Sequence, residues 1–238
     1  ERAGDRRSAA HRRGDAGYGK IAIGAHEEAE KLLRTAVDDA AAMGLPNVAA
    51  AARANLGWAL ARLGKLDEAR VEEERAAEAA RALSDRALEG EARLYLARIA
   101  LLAGDAQSAE MHADSAAALV DPAPQLLAYA LATKARALLR KGLKAEVKEP
   151  ATRAMALLER LGTMEQGESF IRLVFAEALD MTGDREQARR VIRAARQHLV
   201  DVAAKIGDEA ARTRFLQGAG EHWDIFALAS AWRVDDGG

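Results

Sequence analysis

A pattern of small residues repeats five times along this chain and constrains its fold more than any other feature. A small residue is followed seven positions later by Gly, five later by a small or short apolar residue, and seven later by Ala. The copies are Gly17, Gly24, Ala29, Ala36; Gly57, Gly64, Ala69, Ala76; Ala97, Gly104, Ala109, Ala116; Ala135, Gly142, Val147, Ala154; and Ala176, Gly183, Ala188, Ala195. The second-column glycines stand 40, 40, 38 and 41 residues apart. A fixed period of this size marks a stacked-repeat architecture.

Each column has a physical reason. The first small residue lies midway along a helix and lets a neighbour approach closely. The Gly ends that helix, where a left-handed backbone carries no Cβ penalty. A polar residue such as Lys65, Asp105 or Asp184 then opens a second helix. The two later columns are seven apart and share one helix face, so they point inward. The unit is an αα-hairpin that buries its apolar face only by stacking on its neighbours.

This spacing predicts an all-α solenoid, right-handed, of about five hairpins with a period near 40 residues. The hairpins fall at 7–43, 46–83, 85–120, 124–161 and 165–206. Pro46 suits the first turn of its helix, and Pro150 threatens a kink or break in the second helix of the fourth hairpin. Two capping helices follow within 207–233, near 208–217 and 221–233. Residues 1–6 read as a frayed start and 234–238 as a tail.

The segment Asn55-Leu56-Gly57 with Gly64, Leu66, Ala69 and Ala76 resembles a tetratricopeptide repeat (TPR). The period near 40 is similar to the long-helix variety found in kinesin light chain and bacterial signalling ATPases. Residues 183–232 further resemble the terminal block of multidomain Ser/Thr protein kinases of myxobacterial type. Arg196, Leu199, Ile206, Arg212, Arg214, Phe215, Leu216, Glu221, Leu228, Ala229 and Trp232 carry that match, and Ala219-Gly220 and His222 depart from it. The resemblance implies a regulatory or partner-binding repeat tail, with a kinase or ATPase domain upstream in the same polypeptide. Glu1 in place of an initiator Met agrees with an excised piece of a larger protein.

Composition narrows the function classes. Only 4 Pro, 3 Trp, 3 Tyr and 4 Phe occur among the 238 residues, beside abundant Ala, Leu, Arg and Glu, which favours helix over strand. With no Cys, disulfides, zinc–thiolate sites and thiol catalysis are excluded, and a reducing cytoplasm fits. No apolar run is long enough to span a membrane, and the start is not a signal peptide. A net charge of −2 argues against nucleic-acid binding through phosphate neutralisation. Arg185, Arg189, Arg193 and Arg196 share one helix face and read as a solvated outer surface, with an acidic-partner patch as the alternative.

No catalytic group, metal site or cofactor is expected. Gly14 to Lys20 nearly spells a phosphate-binding loop, but Ile21 stands where a hydroxyl must reach magnesium, and no strand precedes it. His26 and Glu30 are spaced as ligands on a helix, but no further ligand accompanies them, so His26 reads as a solvated helix-start residue. The remaining functional surface is the concave face formed by the first helix of each hairpin. One past the first anchor stand Tyr18, Trp58, Arg98, Arg136 and Glu177; four or five past it stand Arg62, Leu102, Arg140, Asp180 and Met181. Tyr18 and Trp58 read first as inter-repeat packing and otherwise as groove residues. Arg62, Arg98, Arg136 and Arg140 suit carboxylate or phosphate contact, so the expected partner is a protein or peptide, acidic or phosphorylated.

Overall fold

The computed structural model describes residues 2–164, 166–218 and 220–234. Among these the regular structure is helix alone, in twelve elements. They are α1 (Arg2–Ala22), α2 (His26–Ala42), α3 (Pro46–Arg62), α4 (Leu66–Ala82), α5 (Arg86–Leu102), α6 (Ala106–Val120), α7 (Pro124–Lys141), α8 (Lys144–Leu161), α9 (Glu168–Thr182), α10 (Arg185–Ala204), α11 (Glu209–Gly218) and α12 (Gly220–Ala231). The helix α1 runs back to Arg2, five residues before the expected start. Residue 165, where the fifth hairpin was expected to begin, lies outside the described residues, as do 235–238.

The repeat columns take up the roles their chemistry dictates. Ala97, Ala135 and Ala176 are fully buried mid-helix, as are Ala29, Ala69, Ala109, Val147 and Ala188 on the partner helices. The five glycines of the second column all have left-handed backbones, with φ of 76° at Gly24, 77° at Gly64, 82° at Gly104, 72° at Gly142 and 103° at Gly183. This lets the next amide reach back to a carbonyl five residues earlier, as in Lys65 N–H to Leu60 O at 3.0 Å and Asp184 N–H to Leu179 O at 2.9 Å. Asp105 and Asp184 then cap the following helices by accepting from the Ser108 and Gln187 amides at 2.9 and 3.2 Å. Lys65 occupies the same place without a side-chain cap. Its ammonium reaches Glu30 instead, at 2.9 Å.

Pro150 does not break α8, which continues from Lys144 to Leu161. Val147, Ala151 and Ala154 on either side of it are buried, so packing of both turns holds the helix through the missing amide.

The chain divides into two compact units, residues 1–126 and 127–238, where the sequence reads as one array. Unit 1 holds α1–α6, and its core gathers Leu33, Leu60, Trp58 and Tyr95 among many alanines. Unit 2 holds α8–α12 and α7 from Leu127 onward. At its end, Leu173, Ile192, Leu199, Ile225 and Val234 form a core against which Phe215, Leu216, Phe226 and Trp232 pack. Val234 is therefore a core residue and not the start of the tail.

Candidate functional site

In unit 1 three of the expected site residues, Trp58, Arg62 and Arg98, come together at one indole. Trp58 on α3 and Tyr95 on α5 stack with centroids 5.5 Å apart and planes 6° apart. The Arg98 guanidinium lies 5.4 Å from the Trp58 ring centroid and that of Arg62 lies 5.8 Å from it. Trp58 is buried, which favours its packing role. Arg98, expected on the concave face for carboxylate or phosphate contact, is only 5% exposed. Its planar cation is folded onto the indole face, which also takes up the apolar stem. Leu102, one turn on, is 48% exposed, and Tyr18 on α1 is half-buried.

Towards the helix N-termini the same face of α1, α3 and α5 opens into a cavity of about 400 Å³. The Tyr95 hydroxyl donates to Glu91 Oε1 at 3.2 Å and so links the aromatic stack to this cavity, which Glu91 lines. Burial pushes the Glu91 carboxyl up, the Tyr95 hydrogen bond opposes that, and the Asp85 charge adds to it. None of the expected site residues lines this cavity. Locating it requires the spacing of three helices, which no single-helix pattern carries.

In unit 2 the structure brings five of the expected residues into one cleft. Arg136, Arg140, Glu177, Asp180 and Met181 line a space of about 740 Å³ with Leu139, Leu173, Asp224, Leu228 and Trp232. Arg136 is already engaged. Its Nη1 lies 2.8 and 2.6 Å from the two Glu177 carboxylate oxygens, and its guanidinium is 5.7 Å from the Phe170 ring centroid. Phe170 in turn meets Tyr129 edge-on. Burial pushes the Glu177 carboxyl up, Arg136 pulls it down, and the Asp224 charge pushes it up again. Arg140 stays exposed at the mouth, and Asp180 pairs with Arg185 at 3.3 Å. Sequence reasoning missed the wall that α12 supplies. Its signal was the apolar run around Leu228 and Trp232, which was read only as a cap.

The other sequence candidates resolve into packing. Gly14 to Lys20 is helix throughout, and Lys20 pairs with Glu28 at 2.6 Å. The His26 ring nitrogens are shielded from solvent, against the solvated reading. Glu30 accepts from Arg34 and Lys65. On α10, Arg185, Arg189 and Arg193 are exposed as expected, while Arg196 is half-buried over the Phe226 ring at 5.8 Å. Among the described residues no three His, Asp or Glu side chains are placed to hold a metal. No helix among them is long and apolar enough to cross a membrane.

No protein-family model matches the sequence, and no curated protein matches it either. Solved structures do. A Rap protein complexed with competence and sporulation factor superposes with a TM-score of 0.63 and 15% identity over 95% of this chain, which spans 64% of that protein's length. A single-residue variant of a protein of nearly identical TPR-like repeats, a putative kinesin light chain of Podospora anserina, gives 0.59 and 18% identity over 86% of this chain and 99% of its own. A second structure of those repeats gives 0.57 and 18% identity, covering 80% and 94%. These likenesses show the fold, an α-solenoid of TPR-like helical hairpins.

Proposed function

We propose that this chain is a non-catalytic module that binds a protein or peptide on the first-helix faces of its hairpins. The observation that carries this reading is the unit 2 cleft, where apolar walls and charged groups from α7, α9 and α12 surround an open space of about 740 Å³. The fold is one that holds such partners elsewhere: one similar structure is complexed with competence and sporulation factor. The acidic or phosphorylated partner suggested by the four arginines rests on Arg140 of the unit 2 cleft, since Arg62 also lies against the Trp58 ring. Arg98 is folded onto Trp58, and Arg136 is neutralised by Glu177.

The terminal-block residues Arg212, Arg214, Phe215, Leu228 and Trp232 support placement as the cytoplasmic regulatory tail of a larger signalling protein of the Ser/Thr kinase type. A free-standing adaptor uses the same surfaces, as does an effector-sensing domain of a maltose-regulator-like transcriptional ATPase. The full reading frame separates the three by what it encodes upstream.

A photo-crosslinking residue at Met181, inside the cleft, is expected to capture the partner in source-cell extract. The same residue at Arg190, on the exposed face of α10, is expected to capture far less. Stronger capture from Arg190 overturns the reading.

A further inference from the structure

The unit 1 cavity differs in kind from the unit 2 cleft. Its floor is apolar, built from the buried Ala10, Ala52, Val48 and Leu88, with the exposed Ala51 and Ala87 completing the lining. Its acidic lining comes from two helices: Asp15 from α1, and Glu91 with the N-cap residue Asp85 from α5. Among the described residues no Lys or Arg lines it, and His11 of α1 is the one other ionisable side chain there. Asn47 and Asn55, eight residues apart, present amides from a shared face of α3. A low-dielectric recess lined by charge of one sign concentrates counter-charge.

We propose that this cavity receives a Lys or Arg side chain from an extended segment of the partner. The methylene stem packs on the alanine floor, the cation lies among Asp15, Asp85 and Glu91, and the Asn47 and Asn55 amides bond the segment's backbone. This assignment rests on the reading of the chain as a protein- or peptide-binding module. Charge complementarity selects the occupant: an acidic side chain would meet three carboxylates, with no Lys or Arg among the described lining residues. A neutral one would bring the three carboxylates no counter-charge. The volume of about 400 Å³ lies in the range of small-ligand pockets, roughly 300–1,000 Å³.

The test is selection of phage-displayed random heptapeptides on the full chain, followed by fluorescence anisotropy with single synthetic peptides. Recovered peptides are expected to be enriched in Arg or Lys. Replacing that Arg by citrulline, which keeps the shape and removes the charge, should weaken binding at least tenfold. Asp15→Asn, at an exposed position, should weaken the Arg peptide several-fold. Asp15→Asn with Glu91→Gln should weaken it at least tenfold and leave the citrulline peptide unchanged, with unaltered melting curves. Equal affinity for the Arg and citrulline peptides overturns the proposal, as does full binding by the double variant. Recovery of acidic peptides whose binding is lost in Arg140→Glu overturns it while the module reading stands. Recovery of no binding peptide in any arm overturns both.

Discussion

The first two hairpins of unit 1 fill one gap with different side chains. In the first, a Cβ added at Gly17 would lie 2.5 Å from Leu33 Cγ, so the glycine on α1 makes room for a leucine on α2. In the second, a Cβ added at Gly57 would lie 2.6 Å from Glu73 Oε1 and 2.7 Å from its Cγ. Leu33 and Glu73 hold the same register, four residues past Ala29 and Ala69, and Ala113, Ala151 and Ile192 hold it in the later copies. All five are buried. Glu73 alone of them carries a polar group, and its carboxylate oxygens have no hydrogen-bond partner. The stacking interface thus tolerates a neutral carboxylic acid where it prefers a hydrocarbon. The tolerance has a cost, because an unsatisfied buried polar group carries its full desolvation penalty.

The largest effect should come from filling the gap itself. Gly57→Leu drives a bulky side chain into Glu73 between α3 and α4 and is expected to destabilise by about 3 kcal/mol. Gly57→Ala alone should also destabilise, and Gly57→Ala with Glu73→Ala should recover much of that loss, since the clash is with one side chain. Gly19→Leu is the control. A Cβ there meets nothing within 4 Å, so gaining a better helix former should leave stability unchanged or raise it by up to about 1 kcal/mol. Thermal melts of these variants decide the matter; equal midpoints at both positions would mean that the two glycines play the same role.

Next is the acid. Glu73→Leu copies the first hairpin into the second and should stabilise by about 2 kcal/mol. Burial pushes the Glu73 carboxyl well above its ordinary value, with the Glu91 charge from α5 and the Glu72 charge beside it adding to the effect. Glu72 is itself paired with Arg53 and Arg75. A raised carboxyl binds its proton more tightly when folded than when unfolded. Its contribution is therefore complete below the unfolded pKa and is lost as pH rises through the folded one. Glu30 behaves oppositely. The Lys65 hydrogen bond, with Arg34, holds its carboxyl low, so its contribution is lost as pH falls. Denaturant melts from acid to neutral pH should show Glu73→Leu gaining most at the upper end. A parent and variant with parallel pH profiles would show that Glu73 has found a partner.

The hairpins themselves were legible because glycine at a left-handed turn and alanine at a helix crossing are demanded by backbone sterics, which act locally. Gly24, Gly64, Gly104, Gly142 and Gly183 needed no tertiary information. Glu73 was visible as the one acid in an apolar register, but that column was not read. A further column, Ala10, Ala50, Gly90 and Ala128, was missed for the same reason; at Gly90 an added Cβ would meet Val120 Cγ1. Arg98 could not be placed from its own helix, since its burial depends on the indole of Trp58 one hairpin earlier. The unit 2 cleft was half legible. The anchor register found Arg136, Arg140, Glu177, Asp180 and Met181, but the wall from α12 depends on how the chain folds back after α10. The unit 1 cavity lies nearer the helix N-termini, beyond the reach of positions counted forward from the anchors.

The smallest effect sharpens the comparison at the turns that leave the two hairpins. After the first, Gly44 takes φ of 62°, and its amide and the next reach Ala41 O at 3.1 Å and Ala40 O at 2.9 Å. After the second, Ser84 takes φ of 57° and makes the equivalent bonds to Arg81 O at 3.0 Å and, through Asp85 N–H, to Ala80 O at 2.9 Å. The bonding is shared, so the difference lies in the Cβ, which costs an L-residue about 1–2 kcal/mol in this conformation. Part of that is offset because glycine also frees the unfolded chain. The second turn has one compensation: Asp85 caps α5 by accepting from the Leu88 amide at 3.0 Å, whereas Leu45 gives α3 no side-chain cap. Ser84→Gly should therefore stabilise by about 0.5–1 kcal/mol, and Gly44→Ser should destabilise by a similar amount. A denaturation midpoint that moves in opposite directions for the two exchanges, with an unchanged slope, is the expected result. If Ser84→Gly lowers the midpoint, the Ser84 side chain contributes more than its backbone costs, and the two turns are alike in hydrogen bonding only.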